Sequence, residues 1–178
     1  MPRLTTEEVN EFLTEYKVAH IATLAADGSP YVVPASFLFT GSAILITPRA
    51  KSVWCKHLDV NPSISLSIDE PSAPHRRVTV SNVKAERLFA PGQEQEWADI
   101  NRKVIVKELG EEKVDYWIEA TSKIPYALYS VPFENPSKSV KTWRPGAEGS
   151  DLSGSMAKRY GEIIQPKTTA KASFAEWK

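Results

Sequence analysis

Between Val18 and Asp69 the chain is a succession of short β-branched and aromatic runs separated by turn residues, and this pattern restricts the fold more than any other feature. VAHIATLA and YVVPASFLF are joined by Ala26-Asp27-Gly28-Ser29, whose Asp-Gly pair suits a tight hairpin, so two antiparallel strands follow directly. Gly41-Ser42 turns the chain into a third strand, AILITP, ending at Pro48. SISLSID alternates Ile64, Leu66 and Ile68 with polar residues, the period-two signature of a strand with one buried face. Pro34 falls inside the second run. Because proline donates no ladder hydrogen bond, that strand is expected to be an edge or to bulge there.

The flanking segments have other periods. Thr5 to Lys17 reads as a helix: Thr5 and Glu8 form a capping-box pair, and Val9, Phe12, Leu13 and Tyr16 recur on one face. Ser52 to Asp59 has helical composition and is ended by Asn61-Pro62. After the Pro-rich turn Glu70 to Pro74, RRVTVSNVKAERLF reads as one long strand kinked at Ser81-Asn82 and closed by Pro91-Gly92. Gln93 to Leu109 and Glu111 to Ser122 read as helices around a C-capping Gly110, with their charges on solvated faces. YALYSVPF and SVKTW supply two more strands. Six or seven mostly antiparallel strands with peripheral helices define an α+β domain built round a small barrel or strongly twisted sheet. The tail from Arg144, rich in Gly, Ser, Lys and Ala, is expected to be partly ordered or packed on a partner subunit, with a short helix around Met156 to Tyr160.

The 178 residues suit one domain with an appended tail. Lys+Arg and Asp+Glu both number 22, so the cationic excess of a general nucleic-acid or anionic-membrane binder is missing. Neither partner is expected. Cys55 is the only cysteine, which excludes an intrachain disulfide and a zinc site with several thiolates and fits a reducing, cytoplasmic setting. The start MPRLTTEEVNEF carries no cationic segment followed by an apolar one, and no stretch approaches the ~18 apolar residues of a membrane span. His20, His57 and His75 fall on a strand, a helix and a turn, without the pattern of a metal or nucleophile triad.

One asymmetry points to chemistry. No carboxylate occurs between Asp27 and Asp59, whereas Arg49, Lys51 and Lys56 cluster there. Arg49, Lys51 and Ser52 lie where a strand ends and a helix begins, so backbone N–H groups, the helix dipole, a hydroxyl and two cations converge on one candidate anion site. Such a site suits a phosphorylated cofactor.

With these residues in place, HIATLAADGSPYVVPASFLFTGSAILITPRAKSVWCKHLDVNPSISLSID resembles the flavin-binding split β-barrel proteins related to pyridoxamine 5′-phosphate oxidase, and the resemblance extends over residues 5 to 145. It implies a homodimer with FMN in clefts at the subunit interface, over a cofactor-binding domain of residues 1–145 followed by the tail 146–178. By this resemblance the backbone of Val33, Pro34, Ala35 and Ser36 faces the flavin ring, Ile46 and Thr47 end the third strand, and Ser52 contacts phosphate. The family's Ser-Arg-Lys run is replaced by Ser52-Val53-Trp54, which leaves Arg49 and Lys51 as the phosphate cations. Trp54 is a candidate cofactor-edge residue. Arg77 matches a polar side chain that reaches the cofactor across the dimer interface, with Arg76 on the opposite strand face; Trp143 matches a tryptophan of the last strand. The substrate-binding Arg-x-His motif of the vitamin-oxidising enzymes does not occur in the tail, so pyridoxamine phosphate is not the expected substrate. The implied function is an FMN-dependent oxidoreductase acting on a small molecule. Use of a deazaflavin, or non-catalytic binding of flavin or haem, are the alternatives.

Overall fold

The computed structural model describes residues 3–16 and 18–144, so the tail and its expected short helix lie outside the described residues. The first two strands, β1 (Val18–Leu24) and β2 (Pro30–Phe39), pair in unbroken register from Val18↔Ser36 to Leu24↔Pro30. Their turn is one residue longer than the tightest hairpin. Gly28 N–H donates to Ala25 O, Ala25 N–H donates to Ser29 O, and Gly28 takes φ +84°, a conformation that a side chain disfavours.

The remaining elements are α1 (Thr6–Glu15), β3 (Ala43–Ile46), α2 (Val53–Val60), β4 (Ser63–Asp69), β5 (Arg77–Lys84), β6 (Glu86–Phe89), α3 (Ala98–Leu109), α4 (Val114–Thr121), β7 (Leu128–Pro132) and β8 (Val140–Trp143). The eight strands form one open antiparallel sheet in the order β6-β7-β3-β2-β1-β4-β5-β8. It is an α+β split barrel rather than a closed one. β2 bridges its two halves, because Pro30 to Ser36 pair with β1 and Phe37 to Phe39 pair with β3.

The strand expected to run from Arg76 to Phe89 is two strands. The predicted kink is present as a bulge, where Ser81 and Asn82 face Ser65 and Asn82 adopts φ +55°. The break comes at buried Ala85, whose N–H donates to Pro62 O, and β6 then leaves β4 to pair with β7. Pro34 is not at a bulge, and β2 is not an edge strand of the sheet. Pro34 sits in the half of β2 that has a ladder on one side only, since pairing with β3 begins at Phe37. The expected helix from Gln93 starts as a 3-10 turn over Glu94–Trp97 before α3.

The capping box of α1 forms in full: Glu8 N–H donates to Thr5 Oγ1 at 3.2 Å and Thr5 N–H to Glu8 Oε2 at 2.7 Å. Val9, Phe12 and Leu13 of this helix share one buried core with Ile21, Ile64, Leu66, Ile68, Val78 and Val80 from one face of β1, β4 and β5. Each such side chain contributes roughly 1.5–3 kcal/mol against the entropy of ordering it. The opposite sheet face carries Val18, 42% exposed, and Val32, 61% exposed, beside exposed His20, Pro34, Arg77 and Lys141. No helix among the described residues is long and apolar enough to cross a membrane.

Candidate functional site

The unpaired edge of β2 borders a cleft of about 570 Å³, within the range of small-molecule sites. Tyr31 and the run Val33, Pro34, Ala35 and Ser36 line it from β2, and Thr47 from the end of β3. The loop into α2 adds Arg49, Lys51 and Ser52, and the first turn of that helix adds Val53 and Trp54.

Ser52 sets the loop's shape. Its Oγ donates to Arg49 O at 2.7 Å and accepts from Cys55 N–H at 3.4 Å, the N-cap of α2. A second tether comes from the chain before β7, where Ala50 N–H donates to Pro125 O and Ala127 N–H donates to Pro48 O. Arg49 and Lys51 are exposed, and among the described residues neither makes an ion pair, whereas Arg76, Arg87, Arg102 and Arg144 each hold a carboxylate. Two unneutralised cations therefore stand beside a helix N-terminus, an arrangement that attracts an anion.

The other wall is helical. α3 presents Asn101, Val104, Ile105 and Glu108, α4 presents Trp117 and Thr121, and Tyr126 follows. Lys107 fixes α3 in place: its Nζ donates to Leu13 O at the end of α1 at 2.9 Å and lies 3.9 Å from the Phe37 ring centroid. Burial pushes the Lys107 ammonium down to about 8. Arg102 ties the two helices together, binding Glu111 and, at 3.0 Å, Asp115.

No histidine lines the cleft among the described residues. His57 lies behind Tyr31, edge-on at 5.6 Å, and shares a 3.1 Å hydrogen bond with Thr23. Cys55 is buried, and burial pushes its thiol up, so it is an inert core group. Nearby, the Tyr129 hydroxyl donates to Asp59 at 2.7 Å, and Arg87 binds the same carboxylate oxygen. The described residues contain no cluster of potential metal ligands.

Of the residues named from sequence, Val33, Pro34, Ala35, Ser36, Thr47, Arg49, Lys51, Ser52 and Trp54 come together on this cleft. Ile46 does not: it is wholly buried in the core. Arg77 lies on β5, which β1 and β4 separate from β2 by about 14 Å at normal strand spacing. There its guanidinium sits 5.6 Å from the Trp143 ring on β8. Arg76 faces the other way and binds Glu70, as strand alternation requires. Sequence reading missed the α3–α4 wall. The 101, 104, 105, 108 spacing showed a helix face but not what it would face.

A family model described as pyridoxamine 5′-phosphate oxidase matches residues 5–121. A conserved hypothetical protein from Mycobacterium tuberculosis superposes with a TM-score of 0.60 at 17% identity, over 79% of this chain and 85% of its own. An FAD-binding protein from Mesorhizobium loti gives 0.58 at 21% identity, over 82% and 98% of the two chains. The heme storage protein HutZ from Vibrio cholerae gives 0.58 at 21% identity, over 79% and 96%. No curated protein matches the chain significantly. The structural likenesses share the fold, and the match along residues 5–121 identifies the chain as a member of the pyridoxamine 5′-phosphate oxidase family.

Proposed function

We propose that this chain binds FMN in the cleft bordering β2 and acts as an oxidoreductase on a small molecule. The observation that carries this reading is the pair Arg49 and Lys51, without carboxylate partners among the described residues, beside the N-terminus of α2 in a cleft whose wall includes the open edge of a strand. That donor set fits a phosphate, and free main-chain groups of Val33 to Ser36 fit the polar rim of a flavin. The fold shared with an FAD-binding protein supports a flavin-type group. When bound, the flavin supplies hydride or electron transfer. Arg49 and Lys51 anchor the phosphate, the β2 backbone orients the ring, and Trp54 and Tyr126 exclude water. Positioning is the chain's main contribution.

The reading assigns cofactor binding to residues 1–145 of a cytoplasmic homodimer. Arg77 and Trp143 lie on the exposed sheet face, away from their own chain's cleft, which supports their delivery to the cleft of a second copy. Pyridoxamine phosphate is not the proposed substrate. The test is the absorption spectrum of protein purified without added cofactor, followed by titration with FMN, a deazaflavin and haem. FMN is expected to bind at one site per chain. Replacing Arg49 and Lys51 together by Ala is expected to weaken it by at least ~1.5 kcal/mol, more than tenfold, the low end for charge-assisted hydrogen bonds. An unchanged dissociation constant removes the phosphate site. A preference for deazaflavin, or a Soret band, replaces FMN with that group.

A further inference from the structure

We infer that a hollow over β1, beside the cleft, is the substrate subsite, that it takes a carbonyl-conjugated compound of the enone class, and that His20 gives the proton its reduction requires. The inference rests on the FMN reading and specifies its substrate class and its acid.

This second cavity, of about 470 Å³, is lined by Glu15 and Tyr16 from the end of α1, by Val18 and His20 from β1, and by Asp69 and Pro71 from the end of β4 and the turn beyond. Strand register joins it to the cleft. Val18 pairs with Ser36 and His20 with Pro34, and directly opposite residues of an antiparallel pair share a face, with Cβ atoms about 4.5–5.5 Å apart. Ser36 and Pro34 line the cleft, so one step across the sheet leads from its wall to Val18 and His20. A compound lying on Val18 and Pro71 thus sits one strand away from a ring held along β2, in a space of small-molecule size. Val18, 42% exposed, offers it apolar surface that the described chain leaves uncovered. The same face is the proposed contact with a second copy, so the hollow opens toward the subunit boundary, as the cofactor cleft is expected to.

The hollow also holds a group that the cleft lacks. Histidine is the side chain that ordinarily exchanges a proton near neutral pH, and none lines the cleft among the described residues. On its other side His20 pairs with Ser67, and Asp69, two residues further along β4, shares that face. Asp69 Oδ1 lies 3.5 Å from His20 Nδ1, where it steadies the protonated ring, and Nε2 has no partner among the described residues. Reduction of a conjugated carbonyl balances with one hydride from reduced flavin and one proton. The hydride forms a C–H bond at the β-carbon, the displaced π pair moves through to the carbonyl oxygen, and the His20 proton forms the O–H bond. The neutral imidazole then recovers a proton from water.

Two measurements on the full chain loaded with FMN provide the test. 4-Nitrophenol presents a phenolic oxygen in place of the one that receives the proton, and its neutral and ionised forms absorb at different wavelengths. With oxidised FMN at pH 7, the bound probe is expected to be more ionised than the free one, its oxygen held by the His20 imidazolium. His20→Gln is expected to remove that excess and to weaken the probe about tenfold, the scale of one charge-assisted hydrogen bond, while FMN affinity stays within twofold. In anaerobic stopped flow, 2-cyclohexenone is expected to reoxidise the photoreduced chain, and His20→Gln to slow that step by about a hundredfold, the low end of general acid catalysis. Loss of FMN from His20→Gln, or probe ionisation indifferent to that substitution, overturns the inference while the cofactor reading stands. So does an enone that leaves the reduced chain unoxidised or reacts at one rate with both forms. A chain that takes up no FMN overturns both.

Discussion

Removing the Glu70 carboxylate is expected to loosen the junction between the β4–β5 connection and α1. Glu70 is 8% exposed and uses both oxygens on one partner. Oε2 accepts from Arg76 N–H at 2.8 Å and from Nε at 3.1 Å, and Oε1 accepts from the guanidinium at 3.0 Å. Arg76 in turn lies 5.2 Å from the Phe12 ring centroid and 3.8 Å from Glu15, so one ion pair holds residues 70–76 to the helix. Breaking a buried pair costs about 3–5 kcal/mol when the surviving charge is stranded. Arg76 keeps Glu15 and its side chain is 20% exposed, so Glu70→Ala is placed near the low end, at about 3 kcal/mol. That corresponds to a fall in Tm of roughly 6–12 °C for a domain of this size. Glu70→Gln retains an acceptor for the Arg76 backbone and is expected to cost about half as much.

The Arg76 side chain holds the Glu70 carboxyl below its ordinary value, against the opposing effect of burial. A depressed native value means that the stabilisation is complete above the unfolded carboxyl value, near ~4.3, and is lost as pH falls through the native one. The gap between wild type and Glu70→Ala should therefore close under acid. Urea denaturation followed by circular dichroism at pH 7 and pH 3 measures it. A difference below about 0.5 kcal/mol at pH 7, within the range of ordinary surface substitutions, would falsify the assignment. So would a gap that persists unchanged at pH 3.

Two further outcomes are accessible to simple assays. Lys107, pushed down to about 8 by burial, binds fewer protons in the native than in the unfolded state between about pH 8 and ~10.4, so wild-type stability should rise with pH there. Relative to Lys107→Met the rise is expected to be about 1–2 kcal/mol, partial exposure reducing the full value, and a flat difference across paired urea melts counts against it. Val32, 61% exposed on the uncovered sheet face, is expected to lie in the proposed dimer contact. Val32→Asp should shift the chain toward monomer in sedimentation and weaken FMN at least tenfold; a dimer indifferent to the charge places the contact elsewhere.

Local rules were legible wherever the deciding contact is near in sequence. The Thr5–Glu8 box, the Gly28 turn and the alternation of Ile64, Leu66 and Ile68 are settled within a few residues, and each forms as read. The segment from Arg76 to Phe89 failed as a single strand because the contacts that break it lie far away in the chain. Ala85 is held by Pro62, and the choice of β7 as partner for β6 is made by residues some 40 positions later. The α3–α4 wall was hidden for a related reason. Asn101, Val104, Ile105 and Glu108 announce a covered helix face, but the same spacing serves a core helix and a cleft-lining one.

The cleft itself traces to unequal strand lengths. β2 has ten residues, whereas its neighbour β3 has four and pairs only with the last three of them. Seven residues, Pro30 to Ser36, thus keep one edge of backbone unpaired, with hydrogen-bonding groups that a neighbouring strand would otherwise satisfy. Pro34 removes one donor from that stretch, and the remaining groups face a space that the β3–α2 loop and α3 enclose. In sequence the shortfall is already written by Gly41 and Pro48, which confine β3 between a turn and a residue that cannot donate. What the sequence did not reveal is that this missing ladder would lie beside Arg49 and Lys51. That juxtaposition turns an incomplete sheet into a cleft with free backbone on one side and free positive charge on another, the two things a phosphorylated planar cofactor needs.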